Sequence, residues 1–285
     1  MHRQQSTRAH LRAQCRDLGI LRPDGNAPDG ITIWQGPSAW NRSPLVLVAS
    51  WSGCTSSGDG ANAKTGRMVQ TYILRRDSDP VADLHSGADE AICGDCPHRP
   101  QVRRDARAAG EQPHAPCYVN VGQGPRAIAD GHSRGLYPLV DIETAADILA
   151  GVLIRFGTYG DPGMVPSGIW SALADCAAGH TGYTHRAHDF GADLVGLAMA
   201  SADSLNEARD LQADGWQTFR VSTDPDEPRD RGEARCPASA EAGKRVTCEA
   251  CPLKCDGAAS DHLVGRVILD HGPGGIGRRI GARLN

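Results

Sequence analysis

The sequence predicts an α/β protein, built as a partial or open (β/α) barrel with long irregular cysteine-rich insertions. In the second half of the chain, short apolar β-rich runs alternate with helical segments, which indicates parallel strands joined by crossover helices. No Gly-x-Gly-x2-Gly motif follows the first strand, and its absence favours a barrel over a dinucleotide-binding fold. Many prolines and glycines between residues 76 and 140 predict an irregular region that metal ligation would hold in place.

The predicted elements follow in chain order. We divide the chain into an N-terminal polar extension (1–30), a single α/β metal-binding domain (31–270) and a flexible tail (271–285). The apolar and β-branched runs predict strands, and the segments with helical periodicity predict helices between them. The predicted strands cover residues 43–50, 70–75, 151–156, 180–185, 194–199, 216–222 and 263–270, and the predicted helices cover residues 9–18, 141–150, 166–177 and 202–213.

Composition narrows the class of protein. The 285 residues are 40% hydrophobic and 22% charged, as in ordinary globular proteins, and the net charge of -4 excludes a global basic field for nucleic acid or membrane. No apolar run is long enough to span a membrane, and the N-terminus lacks the apolar core of a signal peptide. We therefore expect a cytoplasmic protein whose ten cysteines act as thiolates rather than disulfides.

The segment 236–257, which we call the cysteine knot, contains four cysteines: Cys236, Cys248, Cys251 and Cys255. Closely spaced cysteines in a reducing compartment are more often metal ligands than disulfide partners. Three crowded ligands with a fourth at a distance are typical of ferredoxin-type sites, and prolines follow Cys236 and Cys251. The spacing favours an iron–sulfur cluster, and a zinc ion held by the same four thiolates remains the alternative.

A second set of cysteines, Cys93, Cys96 and Cys117, lies within the irregular region. Three thiolates can hold a [4Fe–4S] cluster that leaves one iron open for a substrate or cofactor. The alternative is a structural zinc ion that holds residues 76–140 together. Zinc would need a fourth ligand, for which the sequence offers His98, His114 or Cys54.

Polar residues follow four successive predicted strands. Because ligands bind at the carboxyl ends of parallel strands, these residues outline one pocket, although exposed loop positions would explain each of them singly. His185 is better suited to shuttle a proton than to form a His-x2-His metal site, because a strand does not place both rings on one face. The predicted catalytic residues are Arg155, Asp161 and His185, and the predicted cofactor-binding residues are Gly160, Asp161, Ser201 and Ser222.

The order of these motifs resembles an uncharacterised family of cysteine-rich bacteriophage proteins, itself distantly similar to radical-SAM barrel proteins. The resemblance spans roughly residues 45–257 and rests on Asn62-Ala-Lys64-Thr65-Gly66, Cys93-x2-Cys96, Cys117-Tyr118, Arg155-Phe-Gly-Thr-Tyr-Gly-Asp161 and the cysteine knot. It implies that Cys93, Cys96 and Cys117 carry the open cluster and that the cysteine knot carries an auxiliary one. Gly160 and Asp161 would then correspond to the strand-end motif that holds the methionyl amino group of S-adenosylmethionine (SAM).

The main hypothesis is therefore a radical-SAM-like iron–sulfur enzyme of phage origin, in the host cytoplasm, acting on a nucleotide or nucleic acid. Asp161, Arg155 and His185 would orient the cofactor and the substrate. The alternative is a non-catalytic phage protein stapled by zinc, in which arginines between residues 99 and 107 bind nucleic acid or a replication partner. A third hypothesis is an electron-transfer protein without a substrate pocket.

Overall fold

The structure is a computed structural model that describes residues 7–55, 64–114, 116–239, 242–243, 246–259 and 264–269. It contains two five-stranded sheets, and helices pack against both. Asn62 and the predicted tail 271–285 lie outside the described residues. Of the helices described, none has the length and apolar character needed to cross a membrane.

The first sheet is mixed and has the order β1-β2-β3-β4-β5. Strand β2 is antiparallel to both of its neighbours, β1 and β3, and β3, β4 and β5 run parallel. All residues of β2 except its first are buried, as expected for a continuous apolar run at the centre of a sheet. The strands are β1 (Gly30–Pro37), β2 (Pro44–Ser50), β3 (Val69–Arg75), β4 (Leu153–Tyr159) and β5 (Gly179–Thr181).

The second sheet is entirely parallel and has the order β6-β7-β8-β10-β9. Only Gly182 separates β5 from β6, so a single segment of chain passes from the first sheet into the second. The Gly182 N–H donates to the carbonyl of Cys255 at this junction (2.9 Å). The strands are β6 (Tyr183–Thr184), β7 (Met199–Ala202), β8 (Thr218–Ser222), β9 (Glu233–Arg235) and β10 (Gly265–Leu269).

Capping side chains begin several of the helices. Asp79, Asp141 and Ser204 each accept a backbone N–H from the first turn of α2, α6 and α8, respectively, which satisfies donors that have no intrahelical partner. Helix α8 connects β7 to β8 and packs on both, as a parallel crossover requires. The helices are α1 (Thr7–Asp17), α2 (Pro80–Ser86), α3 (Glu90–Cys93), α4 (Pro100–Ala108), α5 (Gly124–Ser133), α6 (Ile142–Leu149), α7 (Ser167–Cys176) and α8 (Leu205–Ala213).

Helix α1 belongs to the main hydrophobic core, although it lies in the predicted polar extension. Leu11 and Cys15 are fully buried in that core. Arg8 and Arg12 both form ion pairs with Asp29, at 2.6 and 2.9 Å, immediately before β1. The polar face of α1 is thus attached to the first sheet, while its apolar face is covered.

The α/β class and the parallel strands with crossover helices are confirmed. The expectation of a mostly irregular region between residues 76 and 140 is wrong in part, because helices α2, α3, α4 and α5 lie within it. Pro80, Pro100 and Pro125 stand in the first turns of α2, α4 and α5, where the missing N–H costs nothing and the fixed φ favours the helix. These prolines begin helices instead of breaking them.

One predicted strand is displaced along the chain. We expected it at residues 194–199, but β7 begins at Met199, and residues Ala192–Leu194 form a short 3-10 helix. All four residues of β7 are buried, and three of them are Ala or Ser. Small residues with little β propensity occupy the strand because the neighbouring strands and α8 leave little space there.

Candidate functional site

Asp161 joins the two sheets at the carboxyl ends of their parallel strands. It follows β4 of the first sheet, and its carboxylate accepts hydrogen bonds from the Thr184 hydroxyl (2.7 Å) and the His185 N–H (2.7 Å), at the end of β6 in the second sheet. The Gly163 N–H donates to the same carboxylate at 2.9 Å. This buried side chain therefore sets how the ends of β4 and β6 meet.

The backbone of Asp161 also positions the first cysteine group, defined as Cys93, Cys96 and Cys117. Its N–H donates to the carbonyl of Ile92 at 2.7 Å, directly before Cys93. Burial raises the pKa of Asp161 to about 6, against the lowering effect of its three hydrogen bonds. The carboxylate oxygens of Asp161 accept hydrogen bonds from protein groups, which supports a positioning role. Direct contact between Asp161 and a cofactor remains a prediction.

The raised pKa of Asp161 predicts a distinctive pH dependence of stability. Between about pH 4 and about pH 6 the folded state keeps a proton that the unfolded chain has released, so the stability contribution falls as pH rises. Relative to Asp161→Asn, the wild type should lose about 2–3 kcal/mol of unfolding free energy from pH 4 to pH 7. Urea unfolding of both proteins across this range measures the difference. A constant difference would contradict the raised pKa.

Backbone hydrogen bonds bring together the three cysteines of the first group. The Cys96 N–H donates to the Cys93 carbonyl at 3.3 Å, and the Cys117 N–H donates to the His98 carbonyl at 3.2 Å. Desolvation raises the pKa of Cys93 strongly, and negative charge on Cys96 and Cys117 raises it further. Cys117 is exposed as a residue, yet protein atoms surround its sulfur and desolvation raises its pKa. The three thiols thus share one partly enclosed space.

Backbone N–H groups point at the sulfurs in both cysteine groups. The N–H of His98 donates to Cys96 Sγ, and the N–H of Val119 donates to Cys117 Sγ. The N–H of Ala238 donates in the same way to Cys236 in the cysteine knot. In each case the donor lies two residues after the cysteine. Such bonds favour the charged thiolate over the thiol, so the loops are arranged for ligands of a positive centre.

The spacing of the sulfurs bears on which centre fits. Within the described part of the chain, one group of three or more potential ligands has all its ligand atoms within 4.8 Å of one another, and this group contains no cysteine. A tetrahedral zinc ion with Zn–S bonds of about 2.3 Å places its thiolates about 3.8 Å apart. Among the described residues, no three cysteine sulfurs meet the 4.8 Å condition.

The cysteine knot is attached to both sheets. The Cys236 N–H donates to the carbonyl of Val267 in β10 (2.8 Å), and Cys255 forms a parallel bridge with Thr181 at the junction of the sheets. Gly257, next to this bridge, has a φ of +78°, and a Cβ there would lie 2.3 Å from the Ala198 carbonyl oxygen. The end of the knot therefore packs tightly against the start of β7.

The knot cysteines are close enough to influence one another. Burial raises the pKa of Cys255 to about 12, and negative charge on Cys236 and Cys248 adds to the effect. The Tyr183 hydroxyl donates a hydrogen bond to the Cys255 sulfur and opposes this rise. Cys248 and Cys251 are linked by a backbone hydrogen bond of 3.3 Å. The predicted ligand set of the knot is thus assembled in one place.

Arg155, in β4, lies near Cys248 and Cys255 of the cysteine knot and is only 7% exposed. Its guanidinium donates to the Tyr118 hydroxyl at 3.0 Å, and its central carbon lies 5.3 Å from the centre of the Tyr183 ring. No carboxylate of the described residues bonds to it. The charges of Cys248 and Cys255 raise its pKa, although burial alone would lower it. A buried cation without a carboxylate partner offsets negative charge in its surroundings.

Among the predicted cofactor-binding residues, Gly160 has a clear structural requirement. Its φ is +80°, and a Cβ there would lie 2.7 Å from Cβ of Ile73. Ser201 is buried in β7, and the Ser222 hydroxyl bonds to the Asp224 carbonyl (2.9 Å) and to Glu227 (2.5 Å). These contacts account for Gly160 and Ser222 within the fold, and their roles in cofactor binding stay predictions.

Two other predicted candidates lie elsewhere. Cys54 is buried beside Arg8 and Glu249, not in the first cysteine group, and burial raises its pKa to about 12. Arg99 forms a buried ion pair with Asp89 at 2.7 Å, so the Asp89 carboxylate balances the charge of Arg99. The arginine run proposed for nucleic-acid contact is therefore not a uniform exposed surface.

A group of histidines beside the first cysteine group was not foreseen as one site. Asp203 Oδ1 lies 3.0 Å from His98 Nε2, and Asp203 Oδ2 lies 3.1 Å from His114 Nδ1. The His185 ring packs edge-on against His98 with 5.0 Å between ring centres. Asp203 and His185 each follow a parallel strand. Their position at the strand ends is the feature of the sequence that could have identified them as site residues. Nothing in the sequence spacing indicates that His98 and His114 reach the same place.

Burial lowers the pKa of His185 to about 4, and the neighbouring His98 and His114 lower it further. The ring is therefore neutral at neutral pH and has a free nitrogen lone pair, as a proton acceptor or a metal ligand requires. No family model, curated protein or solved structure matches this chain. The functional conclusion accordingly depends on the chemistry of these residues.

Proposed function

We propose that the protein is an iron–sulfur enzyme of the radical-SAM type. The observation that carries this proposal is the assembly of Cys93, Cys96 and Cys117 beside Asp161, at the carboxyl ends of the parallel strands. Ligands and cofactors bind at that edge in parallel α/β folds. The three cysteines supply one thiolate fewer than the four irons of a [4Fe–4S] cluster accept.

The first cysteine group fits such a cluster in one respect. Backbone N–H groups donate to two of its sulfurs, which favours the thiolate form that an iron ligand needs. When bound, the cluster would supply an open iron at which SAM can bind and be cleaved by reduction. Asp161 would then hold the loop before Cys93 in place, and the neutral His185 ring would accept a proton at the edge of the pocket.

The proposed architecture is an open barrel. The segment that contains β5 and β6 belongs to both sheets, and Asp161 ties β4 to the end of β6 across the junction. With β5 and β6 counted as one strand that crosses the junction, the parallel strands lie side by side in the order β3, β4, β5/β6, β7, β8, β10 and β9. A sheet of this order that curves around its own inner face would enclose a cofactor pocket at the carboxyl ends.

The cysteine knot would hold a second cluster. Its four cysteines saturate the irons of a cubane, so this centre would carry electrons or stabilise the fold rather than bind SAM. Arg155 lies near Cys248 and Cys255, and Arg266 lies close enough to Cys255 to lower its pKa. Positive side chains around a negatively charged cluster stabilise it, because the centre is shielded from water.

A nucleotide or a nucleic acid is the substrate class that the pocket supports best. Tyr118 follows Cys117 and is 64% exposed, and its hydroxyl accepts a hydrogen bond from Arg155. An exposed aromatic ring can stack on a base. Tyr118 therefore offers a contact for a base beside the first cysteine group.

Anaerobic purification, followed by metal analysis and an absorption spectrum on the same sample, tests the proposal. We expect a brown protein with broad absorption near ~400 nm, about eight irons per chain and an equal amount of sulfide. Reduction in the presence of SAM should then release 5′-deoxyadenosine. Iron without SAM cleavage would leave an electron-transfer protein and contradict the radical reaction. Stoichiometric zinc without iron, after growth with ample iron, would favour the non-catalytic zinc protein instead.

A further inference from the structure

We propose that His98, His185 and Asp203, together with His114, form a binding site for one divalent transition-metal ion. We call these four residues the histidine–aspartate site. The proposed ion is held by nitrogen and oxygen atoms and is separate from both cysteine groups. None of its ligands is a predicted cluster ligand. The inference rests on the proposed function in one respect, because His185 would bind the ion in place of accepting a proton.

The first support is the spacing of the ligand atoms. One ligand atom each from His98, His185 and Asp203 lies within 4.8 Å of the others, and within the described ranges no other group of His, Cys, Asp and Glu satisfies this condition. Two metal–ligand bonds of about 2.1 Å at a right angle place their ligand atoms about 3.0 Å apart. Asp203 Oδ1 lies 3.0 Å from His98 Nε2, which matches this separation, while His114, outside the group of three, approaches the other Asp203 oxygen at 3.1 Å.

The second support is the way the fold orients the ligands. Asp203 follows β7, and its N–H donates to the Glu207 side chain at 2.7 Å. The N–H of His185 is held by Asp161 at the end of β6. These two hydrogen bonds fix the backbone of both ligating residues at the strand ends. Two adjacent parallel strands thus present one ligand each at the same edge.

The third support is burial with a single open side. The side chains of His98 and Asp203 are 13% and 14% exposed, whereas that of His114 is 50% exposed. The site therefore has protein on most sides and one opening to solvent, as an ion with an exchangeable water or substrate position requires. The positive charge of an ion would also balance Asp203 in this partly desolvated place.

The ligand set favours a particular chemical class of ion. Imidazole nitrogens with one carboxylate suit Fe²⁺, Mn²⁺, Co²⁺ and Zn²⁺, and two histidines with one carboxylate are typical of mononuclear Fe²⁺ sites. Ca²⁺ and Mg²⁺ prefer sites composed entirely of oxygen and fit poorly. We therefore assign the histidine–aspartate site to an octahedral divalent ion of the Fe²⁺ and Mn²⁺ kind.

Mn²⁺ binding to the cluster-loaded protein tests this assignment, because the spin signal of free Mn²⁺ diminishes when the ion binds and the thiolates are already occupied. We expect about one Mn²⁺ per chain for the wild type, and binding at least 10-fold weaker for Asp203→Asn and His185→Gln. His188→Gln is the matched control, because that histidine lies on the same loop with its side chain 62% exposed. It should bind Mn²⁺ as the wild type does.

Iron and sulfide content, measured on every variant, separates loss of the ion from loss of a cluster. If Asp203→Asn does not assemble its clusters, His114→Gln replaces it, since its half-exposed ring can change without disturbing the core. That variant should weaken Mn²⁺ binding by about 10-fold. Equal Mn²⁺ binding by the wild type and by variants with full cluster content would overturn the proposal. The four residues would then be a hydrogen-bonded network only.

Discussion

Replacing Cys96 by serine is expected to remove the first cluster while the second cluster remains. Cys96 accepts an N–H from His98 and lies with Cys93 and Cys117 at the carboxyl edge of the strands. A serine hydroxyl is a poor iron ligand, so two cysteines would be left for this cluster. The iron content should fall from about eight to about four per chain, and 5′-deoxyadenosine release should fall to background.

Cys176→Ser is the matched control for this experiment. Cys176 is a partly buried free cysteine at the end of α7, and it belongs to neither cysteine group. Its substitution should leave the iron content and SAM cleavage unchanged. If Cys96→Ser keeps the full iron content, the first cysteine group does not ligate a cluster. If it loses all iron, the two cysteine groups do not assemble separately.

Removing the guanidinium of Arg220 is expected to destabilise the protein by about 3–5 kcal/mol. Arg220 binds Glu233 with two hydrogen bonds of 2.9 and 2.8 Å, and each of these side chains is only 1% exposed. Arg220→Met would leave the carboxylate of Glu233 buried without its counter-charge. The result should appear as a lower free energy of unfolding in urea at pH 7. The knot cysteine Cys236 follows β9 directly, so cluster retention should also fall.

The ion pair between Arg209 and Asp230 provides the comparison. Its atoms are 2.6 Å apart, as close as a buried pair, but the side chains are 53% and 25% exposed. Exposed pairs contribute about 0–1 kcal/mol, so Arg209→Met should have a small effect. If the two substitutions destabilise the protein equally, burial does not set the strength of the Arg220 pair.

The local pattern of the sequence was sufficient for most of the regular elements. The apolar run of β2, the helical period of α8 and the parallel order of the second half follow from residues close together in the chain. Close cysteine spacing likewise indicated the knot, and its four cysteines lie together in the structure. Such features depend on periodicity and spacing over a few residues, so they can be recognised without knowing the tertiary contacts.

The helices between residues 76 and 140 show where local reasoning failed. The high proline and glycine content of this region is typical of loops. Pro80, Pro100 and Pro125, however, occupy the first turns of helices. In α4 the structure records no buried residue, so no apolar stripe indicates that helix in the sequence. The same proline can begin a helix or end one, and packing decides between the two.

The sequence by itself determined the α/β class, the parallel strands and the residue types available for metal ligation. Only the tertiary structure decided which distant residues meet: Cys117 beside Cys93, Arg155 beside the cysteine knot, and His98 and His185 at Asp203. The junction at Gly182 and the bonds of Asp161 bring the strand ends of both sheets to one edge. Such meetings depend on contacts between residues far apart in the chain, and local propensity carries no information about them.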